Sequence, residues 1–186
     1  QGIVPTGDTL HVFVNHWPSR LGGELESEHK RLYVASVLKD KIEEINKTTH
    51  NPKIVIMGDF NDSPENKSLK VILGAENPQD SLFLPKNLYN LSYPFHDKGD
   101  IGTHKRLGEW AVLDQIIVSG TLLDDKNRFY TTKQNIYIYT PWFLKEPDEK
   151  NIGFKPFRMY QGFKYNGGIS DHFPVFVKFF MQMDLE

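Results

Sequence analysis

Apolar positions along the chain fall into one long helical pattern and several short strand patterns. Leu32, Ala35, Leu38, Ile42 and Ile45 recur at three- and four-residue steps with Lys and Glu between them, which predicts a helix over residues 24–48. Residues 10–16 are β-branched and aromatic and predict a strand, followed by a turn cluster at 18–23. The continuous apolar run at 53–57, closed by Gly58, predicts a strand buried on both faces. A short helix over 66–73 would end at Gly74, and further strands are expected at 112–118, within 128–139 and over 173–180. Alternation of strand and helix patterns places the fold in the α/β or α+β class. Segments 75–111 and 140–168 read as long loops, and long loops in compact domains often carry function.

The length of 186 residues suits a single domain. At 39% hydrophobic and 25% charged residues, the chain resembles ordinary globular domains rather than disordered ones. The formal net charge of −2 gives no general polyanion-binding surface, so nucleic acid remains a possible partner that the charge balance does not favour. The absence of cysteine removes disulfides, thiolate metal sites and cysteine nucleophiles. No apolar run is long enough for a membrane span. The start Gln1-Gly2-Ile3 has neither an initiator Met nor a signal-like pattern and reads as processed or excised. The compartment stays open, with an exported or periplasmic setting as the favoured expectation.

Polar residues gather where the predicted strands end. His16 closes the first, Asp59 and Asn61 follow the second, Asp114 lies among Val112, Leu113, Ile116 and Ile117, and Ser170-Asp171-His172 opens the last. Each has a plain structural explanation. Gly-Asp-x-Asn is a common turn, and a His at a strand end is often a surface residue. Together they are more specific. An extended chain would put Asp59 and Asn61 on one face. Buried Asp114 needs a partner, and holding His172 as imidazolium would supply one. Asp171 is a hard oxygen donor suited to Mg²⁺.

The runs Asn15-His16-Trp17, Gly58-Asp59-Phe60-Asn61, Leu113-Asp114-Gln115-Ile116 and Ser170-Asp171-His172 together resemble, in order, the motifs of the endonuclease/exonuclease/phosphatase superfamily. The wider wording His-Trp-Pro-Ser-Arg, Gly-Glu-Trp-Ala-Val-Leu-Asp-Gln and Gly-Gly-Ile-Ser-Asp-His looks like its bacterial branch. The resemblance implies a deoxyribonuclease-like four-layer α/β sandwich, of which this chain would supply the C-terminal part. It also implies hydrolysis of a phosphate ester with Mg²⁺ or Mn²⁺. Carried over, Asp59 would deprotonate the attacking water and Asn61 would position it. His16 and His172 would donate to phosphoryl oxygens, Asp114 would hold His172, and Asp171 would ligate the metal, with Asp59 and Asn61 as further ligands. The family's glutamate ligand has no counterpart, since Asp8 is the only acid before His16. Weak metal binding and little turnover are therefore expected of this chain.

Arg20, Lys105, Arg106 and Arg158 lie in loops beside the motifs and are candidate phosphate clamps, each with solvated surface charge as the alternative. The aromatics of 142–165 would stack a base or sugar, cover a lipid head region or form the loop's own core. A binding or interaction module that has lost turnover is the alternative to a phosphoesterase. The apolar strands at 54–57 and 175–177 would leave a bare sheet face in a lone half, predicting self-association or pairing with an N-terminal half.

Overall fold

A computed structural model describes residues 1–79 and 82–182. The strands and helices in chain order are β1 (Gly2–Ile3), β2 (Thr9–His16), α1 (Glu24–Thr48), β3 (Lys53–Asp59), β4 (Ala75–Glu76), β5 (Leu88–Asn90), α2 (Tyr93–Lys98), β6 (His104–Arg106), β7 (Glu109–Ala111) and β8 (Asp114–Ser119). After these come β9 (Phe129–Tyr130), β10 (Ile136–Ile138), β11 (Lys145–Pro147), β12 (Phe154–Pro156), β13 (Tyr160–Gln161), β14 (Lys164–Tyr165), β15 (Val175–Val177) and β16 (Phe180–Met181). A further short helix, Ser68–Leu73, closes at Gly74 in the left-handed conformation, where its N–H bonds the Leu69 carbonyl. The core is a mixed six-stranded sheet in the order β1-β2-β3-β8-β5-β4, accompanied by two-stranded sheets, an arrangement of the α/β class.

The 24–48 periodicity forms the helix it predicts, with Ser27, Arg31, Ala35, Leu38 and Ile42 buried along one stripe. Glu24 and Glu26 in the first turn favour the helix dipole where no side chain caps the end. The stripe packs on one face of the sheet, against Ile54, Ile56, Leu88 and Ile117, together with Leu69 and Leu73 of the short helix. Val55, Tyr89, Ile116 and Val118 face the other way, beneath Leu122, Phe129, Ile136, Val175 and Val177. Strand β3 is thus buried on both faces, as its unbroken apolar run requires.

That second layer corrects the expectation of a bare sheet face. The chain's own β10 and β15, antiparallel to each other, lie over β3 and β8. Val12 and Val14 of β2 and Phe176 of β15 remain exposed. The segments read as loops also hold short paired strands, among them the β6–β7 and β11–β12 hairpins. Two or three residues are too few to show a period.

The end of β3 is anchored to α1 by a buried charge pair. Arg31 Nε lies 2.7 Å from Asp62 Oδ1, and both side chains are sealed from solvent. The N–H is poorly aligned, so the contact is Coulombic rather than a good hydrogen bond. Arg31 also donates to Ser27 Oγ and the Glu24 carbonyl, while Asp62 Oδ2 accepts from Ser68. Removing one member of such a pair strands a charge in the core. Replacing Arg31 with Met is expected to cost about 3–5 kcal/mol, read by urea unfolding. A loss within the range of ordinary surface substitutions would show that the pair is not the anchor.

Candidate active site

Strand register builds the first part of the site. His16 of β2 pairs with Asp59 of β3, and Asp59 pairs with Asp114 of β8. Side-chain alternation turns all three toward the face opposite α1. Gly58 makes this register possible. It pairs with Asn15 at φ 132°, and a Cβ there would lie 1.9 Å from the Asn15 carbonyl oxygen. His16 Nε2 stands 3.7 Å from Asp59 Oδ2, with the His side chain 78% exposed and the Asp 19%.

Asn61 reaches Asp59 by a route other than the expected extended chain. Its φ is 51°, so the backbone has already turned, and its N–H donates to Asp59 Oδ1 at 2.8 Å. This is an Asx turn. The side chain curls back, and Nδ2 lies 3.2 Å from Asp59 Oδ2 and 3.0 Å from the Trp17 carbonyl oxygen. The amide and the carboxylate still converge.

His172 closes the site from a separate segment. Thr103 locates both partners: its Oγ1 accepts the N–H groups of Leu113 and Asp114, and its carbonyl accepts that of Phe173. His172 Nδ1 then lies 2.6 Å from Asp114 Oδ2. Burial opposes the charged imidazolium, but the Asp114 hydrogen bond and the charges of Asp114, Asp59 and Asp171 outweigh it, so the His172 pKa is raised. Asp59 is also raised, first by burial and then by the Asp114 charge, against the Asn61 backbone bond. Ligand atoms of Asp59, Asp114 and His172 all lie within 4.8 Å of one another.

His104 is a site residue that sequence reasoning missed. It bridges His172 through the backbone, the two rings stand 4.8 Å apart, and its Nε2 lies 3.0 Å from Arg158 Nη2. Burial, followed by the His172 and Arg158 charges, pushes its pKa down to about 4, so at neutral pH the ring is uncharged and Nε2 accepts from Arg158. Alternation in a hairpin was the available signal: His104 and Arg106 share the face opposite Lys105.

The four basic candidates separate. Arg158 lies beside the site and lines a cleft of about 310 Å³ with Ser170 and Asp171. Lys105 does not serve as a clamp. It is buried, pairs with Asp148 at 3.1 Å and donates to the carbonyls of Ile152 and Phe154. Arg20 is likewise committed to the protein, donating to the Asn61 carbonyl and Glu24 and facing Asp62 at 3.6 Å. Arg106 is exposed on the hairpin. Asp8 is away from the site, paired with Lys53.

The aromatic segment divides too. Phe154 packs with Trp110 and Phe173 as core, whereas Trp142, Tyr160 and Phe163 are exposed. A divalent cation fits the donors present. Among the described residues no hydrogen bond or ion pair engages the exposed Asp171 carboxylate. Mg²⁺ or Mn²⁺ is commonly held by one or two carboxylates completed by water and substrate oxygens. Ligand atoms of His104, Asp171 and His172 also lie within 4.8 Å of one another, and each imidazole keeps a second ring nitrogen besides the one that meets Arg158 or Asp114.

A profile of the endonuclease/exonuclease/phosphatase family matches residues 4–181. A protein of that family from Bacteroides thetaiotaomicron superposes with a TM-score of 0.50 at 18% identity, covering 96% of this chain and 52% of that one. A mannosyl-6-phosphatase from Bacteroides thetaiotaomicron gives 0.49 at 19% identity over 94% and 52%. Truncated TDP2 of Caenorhabditis elegans gives 0.47 at 14% over 95% and 56%. The chain thus spans about half the length of these solved relatives. No curated protein sequence matches it.

The Asp114–His172 pair has a measurable pH signature. Its folded pKa being raised, His172 contributes stability that is complete below about 6.5 and is lost as pH rises through the folded value. In the metal-free protein, NMR is expected to place the His172 titration above 6.5, and Asp114→Asn to lower it. An unchanged titration would overturn the electrostatic assignment.

Proposed function

The chain belongs to the endonuclease/exonuclease/phosphatase family, and from that premise we propose that it hydrolyses a phosphate ester by in-line attack of water, assisted by Mg²⁺ or Mn²⁺. The observation that carries this reading is the row His16–Asp59–Asp114 across three strands, with His172 held against Asp114 at 2.6 Å. Hydrolysis needs a base for water and positive donors where charge builds on the phosphoryl oxygens, and this row offers both.

In the proposed reaction Asp59 takes a proton from water as its oxygen bonds to phosphorus. Asn61 orients Asp59 through the Asx turn and side-chain contact. His172, kept charged by Asp114, donates to a non-bridging oxygen, and exposed His16 supplies a second donor. The phosphorus–oxygen bond to the leaving group breaks, the leaving oxygen takes a proton from solvent, and the Asp59 proton returns to solvent. A divalent ion held by Asp171 would neutralise phosphoryl charge. Asp59 suits the role of base: burial and the Asp114 charge raise its pKa, which strengthens its hold on the proton it takes from water.

A chromogenic phosphodiester and a monoester, each with Mg²⁺ or Mn²⁺, separate this reading from a binding module that shares the fold. Weak turnover is expected, since the chain has no counterpart of the family's glutamate ligand, with Asp59→Ala lowering it about 10²–10⁴-fold and leaving thermal unfolding little changed. Full activity in that variant would remove Asp59 as the base, and no wild-type turnover of either ester would favour the binding module.

A further inference from the structure

Arg158 has a setting that the proposed hydrolysis does not use. Its Nη2 is fixed by two acceptors, His104 Nε2 at 3.0 Å and the Lys105 carbonyl oxygen at 3.2 Å. Among the described residues no carboxylate pairs with it and no hydrogen bond engages Nε or Nη1. The side chain lines the cleft with Met159, Tyr160, Ile169, Ser170 and Asp171. An Arg anchored through one nitrogen, with the rest of its planar fork unpartnered, is pre-organised to receive an anion.

The backbone around it is fixed as well. The N–H groups of Ile169 and Ser170 both bond the Phe157 carbonyl, and the Asn166 N–H bonds that of Met159. Asn166 Nδ2 bridges the Arg158 carbonyl and Glu146. A Cβ on Gly168 would sit 2.1 Å from the Phe157 carbonyl oxygen, so a glycine allows this close approach. Residues 157–160 and 168–171 are thereby held side by side, with Arg158 on one wall of the cleft and Asp171 on the other.

We propose that this cleft receives the leaving group of the ester, and that Arg158, positioned by His104, recognises a second anionic group, a carboxylate or a further phosphate, carried on that leaving group. The proposal rests on the phosphoesterase reading of the site. Met159, Tyr160 and Ile169 supply apolar walls for the carbon skeleton, and the Arg158 fork supplies its charged end point. His104 is a positioning residue: its Nε2 accepts from Nη2 while its ring lies 4.8 Å from that of His172, tilted by 45°.

Calorimetry without added metal, using propyl phosphate, 3-(phosphonooxy)propanoate and propane-1,3-diyl bisphosphate, tests this. Propyl phosphate reports on the phosphoryl site alone, and the other two distinguish carboxylate from phosphate as the second anion. The wild-type protein is expected to bind at least one of the doubly charged probes about tenfold more tightly than propyl phosphate. Arg158→Gln is expected to abolish that gain. His104→Phe, which keeps a ring but lacks the acceptor, is expected to reduce it, and His104→Gln, which keeps an acceptor, to restore it. Equal binding of all three probes by the wild-type protein, or an undiminished gain in Arg158→Gln, would overturn the subsite while leaving the phosphoesterase reading intact. An undiminished gain in His104→Phe, or no restoration in His104→Gln, would overturn the role of His104. No binding of either doubly charged probe would overturn the subsite, whereas the phosphoesterase reading stands or falls with the turnover assay.

Discussion

The buried pair between Arg31 and Asp62 is the constraint on which the rest of the architecture depends. Asp62 follows Asp59 and Asn61 by a few residues, so whatever fixes Asp62 fixes the turn that carries them. Its carboxylate takes Arg31 from α1 and Ser68 from the short helix, with Arg20 at longer range. Its carbonyl accepts from Gln115, the residue next to Asp114. Removing two charges from water is costly, and near neutrality such a pair yields specificity more than stability. Here that specificity is positional. The helix, the end of β3 and the start of β8 share one ionic centre, and a shift of any one would leave a charge or an amide unsatisfied in the core.

Above this anchor, the site is assembled by two kinds of ordering. Sheet pairing sets His16, Asp59 and Asp114 in one row, with no freedom beyond side-chain rotation. The Thr103 hydroxyl accepts from the Leu113 and Asp114 N–H groups and its carbonyl from that of Phe173, which brings in His172 from a segment distant in sequence. The electrostatics follow from the crowding. Asp59 and Asp114 repel each other, and Asp59 responds by holding its proton more tightly. The hydrogen bond and charge of Asp114 and the charge of Asp59 favour the His172 imidazolium against burial, and its pKa is raised. The raised pKa values of Asp59 and His172 thus arise from one cluster of charges.

Much of this was legible in the chain, and the failures have specific physical causes. The helix α1 emerges from periodicity because its buried stripe, from Ser27 to Ile42, runs for about four turns. The site motifs sit at strand ends because that is where sheet geometry presents polar groups without breaking the core. Lys105 was misread because charge in a loop-like segment suggests solvent. A three-residue hairpin strand instead turned it inward to Asp148, and turned its neglected neighbour His104 toward the site. Arg20 was misread for a related reason, since an Arg beside a motif can support the motif rather than the substrate. The bare sheet face failed because the chain between β8 and β16 folds back over it: strands are foreseen within 128–139 and over 173–180, but not that their pairing would lay them across β3 and β8.

The two parts of the site also differ in how far they can vary. The row on the sheet is tied to the register of β2, β3 and β8, so moving any member by one residue would turn it to the opposite face. The cleft wall rests on short hairpins and local backbone bonds, with Gly168 and Asn166 as its fixing points. A substitution there changes shape and charge near Asp171 without touching the pairing of the central strands. In the proposed reading the fold therefore separates the chemistry, held by the sheet, from recognition, held by peripheral hairpins. Arg158 joins them: it stands in the recognition wall, but the residue that holds it, His104, is packed against the imidazole of the reacting row. A ligand that engages Arg158 thus acts one ring away from His172, close enough for its charge to be felt where the phosphoryl oxygens would lie.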